Sequence, residues 1–412
     1  MEKIIKTIFF SILISFINCI IVIPFKTYNL KEPNNFTSID LINYWEKNIL
    51  YTDVLIGTPP QKITAIIHCQ DFGTHLFKNM CELPSSQFYK ENSSSFKYFN
   101  NINSYYPMNN ASIINETIYF YDNINLKEQK PLYYYRLIYS DNDKEIQGDR
   151  YEFHENTCLN LGLPLSWSNY HDTPTNLVAQ LKKNYKIVET YDISFKYKTE
   201  SEGEIIIGAE PHIYDPENYF EQQYRIVGAY GGENQRDWFL NFDKIYQARK
   251  IKSTGNTINE TISMVRSLRI QFDMGVIIGP NEYKKMIKKN FFDDLVKEGK
   301  CFEDVVTLEK TYEKKTIFYC DKKLTEDIIK NDFPPIYFEM KQFQKTFELT
   351  YKDLFREKNG KLYFLIYFGE YLYGYFTIGK IFLQKHFFTY NQDTKMMGYY
   401  NEELPGGRKK KC

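Results

Sequence analysis

The sequence predicts an all-β protein, mainly strands with a few short helices, and three observations point to it. Apolar residues come in short runs rich in Ile, Val, Tyr, Phe and Thr, such as residues 63–67 (ITAII), 191–197 (YDISFKY) and 203–208 (GEIIIG). Asn, Asp, Gly and Pro break these runs, as expected where strands end in turns. Helical spacing is rare. Only residues 175–185 (TNLVAQLKKNY) and 282–290 (EYKKMIKKN) place apolar side chains on one face, the second following Pro280 with Asn281 as its expected cap.

Length and composition bound what such a protein can do. A chain of 412 residues can hold two or three domains or one large bilobal β unit. With 43% hydrophobic and 25% charged residues it resembles folded proteins rather than chains that stay disordered. Lys+Arg and Asp+Glu both number 52, so no basic excess exists to drive binding to DNA or RNA, and no nucleic-acid partner is expected. Glycine, at 20 residues, is scarce, so loops that depend on positive φ are expected to be missing.

At the N-terminus, Lys3 and Lys6 precede an apolar stretch at residues 8–23 closed by Pro24, the order of a secretory leader. Residues 1–23 are therefore assigned to a signal peptide. Left uncut, the same stretch approaches the ~20 residues that span a bilayer and would tether the chain to a membrane. A secreted or lumenal location is expected. Sequons at Asn35, Asn92, Asn110, Asn115 and Asn259 agree with that route. Residues 24–48 form a short pro-segment or linker. Cys69, Cys81, Cys158, Cys301, Cys320 and Cys412 follow the leader, and in an oxidising lumen they favour disulfides over free thiols. Cys301 and Cys320 flank a charged stretch and form the best local pair; the other pairings stay open. The cysteine spacing matches no zinc pattern, so no metal and no cofactor are expected. The polar segment 211–234 is the expected crossing between two halves, with lobes at 49–210 and 211–400 and a basic tail at 401–412.

The sequence Ile56-Gly57-Thr58-Pro59-Pro60-Gln61 lies between two strand-like runs and makes a rigid hairpin turn. The same hexapeptide in the same setting resembles the start of the pepsin-like aspartic protease fold. Residues 89–96 (YKENSSSF) resemble that family's segment before the flap, and 160–164 (NLGLP) its Gly-Leu-Gly-Leu turn. Residues 203–209 (GEIIIGA) and 238–245 (WFLNFDKI) are similar to later strands. Phe272-Asp273-Met274-Gly275 through Ile278-Gly279-Pro280 resembles the second active-site turn, and residues 376–398 the closing strand pair. The resemblance spans about residues 50–400. It implies two β-rich lobes, each giving one loop to the floor of a central cleft that binds peptide or protein; a monomer is expected.

The family's chemistry needs two carboxylates that share a proton, one acting as base toward water while the other donates to the scissile carbonyl. The family spacing after Gln61 puts His68 where the first Asp belongs, with Cys69 and Gln70 in place of Thr and Gly. The second motif reads Asp273-Met274-Gly275, where a thioether cannot make the hydrogen bonds of the Thr hydroxyl. A shifted register, needing an insertion after Gln61 and a bulge in the strand at residues 63–67, would instead deliver Asp71 from Asp71-Phe72-Gly73-Thr74. Matching residues 121–124 to the strand after the flap places residues 110–117 on the flap hairpin, with no Gly and no flap Tyr. Tyr105 and Tyr106 lie nearby, and Tyr106 is the candidate binding residue there, beside Met274 and Gly275 at the floor. The expected function is a non-catalytic pepsin-fold protein binding peptide or protein in its cleft. The rival is an active aspartic endopeptidase using Asp273 with Asp71, and a third reading is an inert glycosylated scaffold.

Overall fold

The computed structural model describes residues 20–27, 36–68, 73–77, 88–102, 111–122, 126, 129–140, 159–162, 177–184, 188, 192–228, 238–251, 254–307, 314–369, 374–391, 393–394 and 396–401. It is built mostly of strands with few short helices, and the chain divides into two units. The first comprises Met1–Lys26, Leu50–Ile226 and Phe387–Cys412, and the second Thr27–Ile49 and Val227–His386. The break after Ile226 falls within the segment 211–234 expected to cross between the halves, past the lobe boundary drawn after residue 210 and about the middle of that segment. Two stretches also change sides relative to the expected lobes: residues 27–49 belong with the later half, and the closing strands belong with the earlier one.

In the first unit, thirteen strands among the described residues form one sheet. Its middle holds Ile21–Thr27 between Glu202–Ile207 and Leu50–Ile56. Leu50–Ile56 pairs antiparallel with Gln61–His68 in unbroken register, from Leu50 opposite Ile67 to Ile56 opposite Gln61. Val54, Ile56, Ile63, Ala65 and Ile67 are buried from these two strands, the two-residue period that half-buried strands require. Ala111–Tyr121 is one continuous strand between Lys97–Ile102 and Gln129–Ser140. Residues 111–117 therefore lie within a strand that pairs with Lys97–Ile102. Residues 103–110, which contain Tyr105 and Tyr106, lie outside the described residues. Phe388–Asn391 and Met396–Tyr400 return to this sheet, through pairing with Asp192–Tyr197.

The second unit holds a nine-stranded and a four-stranded sheet among the described residues. A helix at Ser38–Glu46, in a segment the sequence suggested was a linker, packs on its core. Thr37 caps it: its backbone N–H donates to Asp40 Oδ2 (2.9 Å) and its hydroxyl accepts from the Asp40 N–H, a reciprocal cap. Ile39, Leu41, Ile42 and Trp45 then fall on one face and join Val276, Ile317, Tyr363, Leu365 and Tyr367 in an apolar cluster.

The helix expected at 282–290 runs longer, as Asn281–Ile287, Lys288–Phe292 and Asp293–Lys297 in succession. Pro280, not Asn281, occupies its cap and offers no side-chain bond. The other expected helix is present as Leu177–Ala179 continuing into Gln180–Asn184. Cys301 and Cys320 stand directly opposite each other on paired strands and form the disulfide inferred for them. Both sulfurs are fully buried, so the bridge is shielded from exchange.

Candidate functional site

Three motif segments far apart in sequence meet around the turn after Ile56. Gly57 has φ +94°, a conformation that side chains with a Cβ rarely adopt, and its N–H donates to Thr117 O at 2.8 Å. The Thr58–Pro59 bond is cis. Gln61 reads the backbone of Tyr89 in both directions: Nε2 donates to Tyr89 O and Oε1 accepts from Tyr89 N, each at 2.9 Å. Ser93 Oγ accepts from Thr58 N (3.0 Å), and Ser94 N donates to Thr58 O (2.8 Å). Beneath the turn, Ser95 Oγ lies between Thr58 Oγ1 at 2.9 Å and the carboxylate of Glu116, which also accepts from Thr117 N at 2.7 Å. Glu116 is fully buried, and its Oε2 has no hydrogen-bond partner among the described residues. Nothing in the sequence marks this carboxylate, because its hydroxyl partners come from strands and turns distant in the chain.

The turn delivers the strand Gln61–His68, whose last residues lie parallel to Leu159–Gly162, with Ile67 opposite Leu161 and His68 opposite Gly162. His68 thus ends an unbroken strand, and no register shift interrupts its pairing with either neighbour. Cys69, Gln70 and Asp71 lie outside the described residues, as does Tyr106.

In the second unit, Asp273 sits on a turn held almost entirely by backbone. Gln271 N donates to Ile378 O (2.8 Å), Lys380 N to Met274 O (2.8 Å), and Gly275 N to Glu46 O (2.8 Å). Asn48 adds two bonds, from its N–H to Asp273 O at 2.8 Å and from Nδ2 to Phe272 O at 3.0 Å. Residues 45–48 therefore line one side of the turn and residues 379–380 the other. Two glycines allow this approach: a Cβ on Gly275 would lie 2.1 Å from Trp45 O, and one on Gly379 would lie 2.1 Å from Gln271 O. Met274, where the family pattern has a threonine, is buried and forms a bridge with Lys47. The Asp273 carboxylate is half-buried, and its Oδ1 is sealed from solvent without a hydrogen-bond partner among the described residues. Such an oxygen is costly to leave unpaired.

Two of the described histidines, His212 and His386, pack against aromatic rings. His212 Nδ1 lies 2.9 Å from Tyr400 Oη, and burial holds its pKa below the usual value. His386 lies against Phe347 and Phe382, each 4.8 Å away. Burial, with Lys385 and Lys345 nearby, pushes its pKa down to about 3. Among the described residues no group of three or more His, Cys, Asp or Glu side chains is placed to hold a metal ion. No described helix is long and apolar enough to cross a membrane.

No protein-family profile and no curated protein sequence matches the chain. Its fold is similar to that of the basic 7S globulin from soybean, with a TM-score of 0.58 at 11% identity over 93% of this chain and 95% of that one. The same values hold for conglutin gamma, a basic 7S globulin from lupine seeds. Both neighbours carry the pepsin-like fold, so the all-β architecture expected from the motifs is present. At this identity the likeness extends to the fold alone.

Proposed function

We propose that this chain is a secreted pepsin-fold protein that binds peptide or protein without cleaving it. The observation that carries this is the unbroken pairing of Gln61–His68, which leaves a histidine rather than a carboxylate at the end of the strand that supplies the first catalytic residue in that family. The Asp71 register needs an insertion after Gln61 and a bulge in this strand, and the reading is supported by the pairing of Gln61–Ile67 with Leu50–Ile56 without a register shift. The Asp273 turn supports the same reading, since backbone from residues 46–48 and a buried thioether occupy the place where a threonine hydroxyl would tie two active-site loops together. A lone carboxylate can act as base or acid but not as both in one step. Tyr106, Met274 and Gly275 are the proposed contacts for a bound chain. The inert-scaffold alternative makes no such contacts.

Incubating the purified protein with a broad peptide library from about pH 3 to about pH 7 is expected to yield no cleavage products, for wild type, Asp273→Ala and Asp71→Ala alike. Cleavage by wild type that disappears in both variants would establish the endopeptidase instead. In the same samples, retention of library peptides that weakens on Tyr106→Ala, with the denaturation midpoint unchanged, distinguishes the binding protein from the scaffold.

Passage through the secretory pathway also makes a prediction about sequons. Asn259 is exposed on Thr257–Thr261, an edge strand of the four-stranded sheet, and Asn92 is exposed in the turn Lys90–Asn92. Asn115 sits mid-sheet between Lys97 and Arg136 with its Oδ1 sealed from solvent. Glycopeptide mapping of the secreted protein is expected to find sugar on Asn259 and Asn92 and none on Asn115. A glycan on Asn115 in folded protein would contradict this register.

A further inference from the structure

The residues that close the apparent leader are core residues of the first unit. Ile20 and Val22 pack against Ile206 and Ala209, and Ile21, Val22, Ile23 and Phe25 are all buried. Ile21 pairs with Ile207, Val22 with Ile206, Ile23 with Ile205, and the register continues to Lys26 opposite Glu202. The strand lies inside the sheet, with neighbours on both sides, so its removal would expose two rows of backbone donors and acceptors.

Phe25 is fitted to its place as well. Its ring occupies the space above Gly203, where a Cβ would come within 2.4 Å of Phe25 Cζ. It also meets the Tyr197 ring edge-on at 5.1 Å. Further along, Leu41 and Ile42 are fully buried in the second unit, and Glu46 pairs with Lys315 at 2.7 Å. Residues 20–25 thus supply core side chains to the first unit and residues 39–45 to the second.

We propose that the leader is cut at the Cys19–Ile20 bond and that residues 20–48 remain in the mature chain as permanent structure. Leader peptidases favour small residues one and three positions before the cut; Cys19 meets the first requirement and Ile17 departs from the second. Residues 8–18 still provide an apolar stretch within the ~7–15 residues that a leader needs. The step is hydrolysis of one peptide bond by that membrane-bound peptidase: water adds its hydroxyl to the Cys19 carbonyl carbon, and the Ile20 nitrogen leaves as an amine. Cutting after residue 23, as the apolar run alone suggests, would remove Ile20, Ile21, Val22 and Ile23 from the core.

The test is N-terminal sequencing of the full chain secreted from a eukaryotic host, a readout independent of whether the protein binds or cleaves peptide. An N-terminus at Ile20 is the expected result. An N-terminus at Met1, at Pro24 or anywhere beyond it overturns the proposal. A second measurement covers retention: a site-specific protease sequence inserted in residues 28–35 allows the chain to be nicked after folding. The fragment carrying residues 20–27 should then co-elute with the remainder under native conditions and separate only in denaturant. Release of the fragment from native protein, with the remainder still folded, would show that the strand is dispensable.

Discussion

Lys315→Ala is expected to lower the stability of the unit containing residues 227–386 by about 3 kcal/mol. Lys315 is almost fully buried, and its Nζ lies 2.7 Å from Glu46 Oε2, 3.2 Å from Asn43 Oδ1 and 4.3 Å from the centre of the Tyr367 ring. Tyr367 closes the network by donating its hydroxyl to Glu46 Oε1 at 2.6 Å. Removing the ammonium leaves a largely enclosed carboxylate with a phenol as its remaining charge-stabilising partner, and such uncompensated burial costs more than an intact pair contributes. The expected loss lies at the lower end of the usual range because the Glu46 side chain is still 26% exposed.

The same change should reach the Asp273 turn, because Glu46 O accepts from Gly275 N and the adjoining Asn48 N donates to Asp273 O. Hydrogen exchange at Gly275 and Asn48 should therefore quicken, and by more than at the unconnected amide of Ile262. The double variant Lys315→Met with Glu46→Gln should lose less than Lys315→Ala alone, since neither charge is then stranded. Urea unfolding of the single and double variants measures this. A double variant as unstable as the sum of its parts would show that the pair is not coupled.

Acidification is expected to destabilise the protein between about pH 6.5 and pH 3, with His386 as a principal cause. Its ring lies between Phe347 and Phe382, and Nε2 is sealed from solvent without a hydrogen-bond partner among the described residues. Lys385 and Lys345 oppose its protonation, while Asp353 and a hydrogen bond to the Glu348 backbone favour it; burial outweighs both, and the pKa falls from 6.5 to about 3. In this window the unfolded chain binds a proton on this ring that the folded chain does not take up. Stability therefore rises with pH across the window and is lost as pH falls through it. At about 1.4 kcal/mol per pH unit the loss cannot exceed about 5 kcal/mol, and partial exposure of the residue reduces it to a few.

His386→Phe should flatten the pH dependence of the denaturation midpoint between about pH 4 and pH 6 relative to wild type. An unchanged slope would assign the acid sensitivity elsewhere.

Turn chemistry was legible in the sequence because it is local. Gly57, Pro59, Pro60 and Gln61 announce their hairpin, Pro280 announces the helix after it, and Cys301 and Cys320 are close enough in sequence to be matched. The apolar run at residues 8–23 was not separable in this way. A leader and a fully buried strand have the same composition, and only pairing with Glu202–Ile207 distinguishes them. The helix Ser38–Glu46 carried a visible signal in Thr37 and Asp40 with apolar residues at 39, 41, 42 and 45, but nine residues is too short to commit a chain to helix without a surface to pack on.

The site shows the same division. The residue types at positions 68 and 273–275 are properties of the sequence: a histidine at the register counted from Gln61, and a methionine between Asp273 and Gly275. That backbone from residues 46–48 fills in beside Asp273, and that Glu116 lies buried beneath the Gly57 turn, were decided only by the tertiary structure. Hydrogen bonds between segments more than two hundred residues apart, such as Asn48 to Phe272, have no periodicity or spacing to betray them. They form because folding must find partners for buried backbone groups, and which partners are within reach depends on the packed fold.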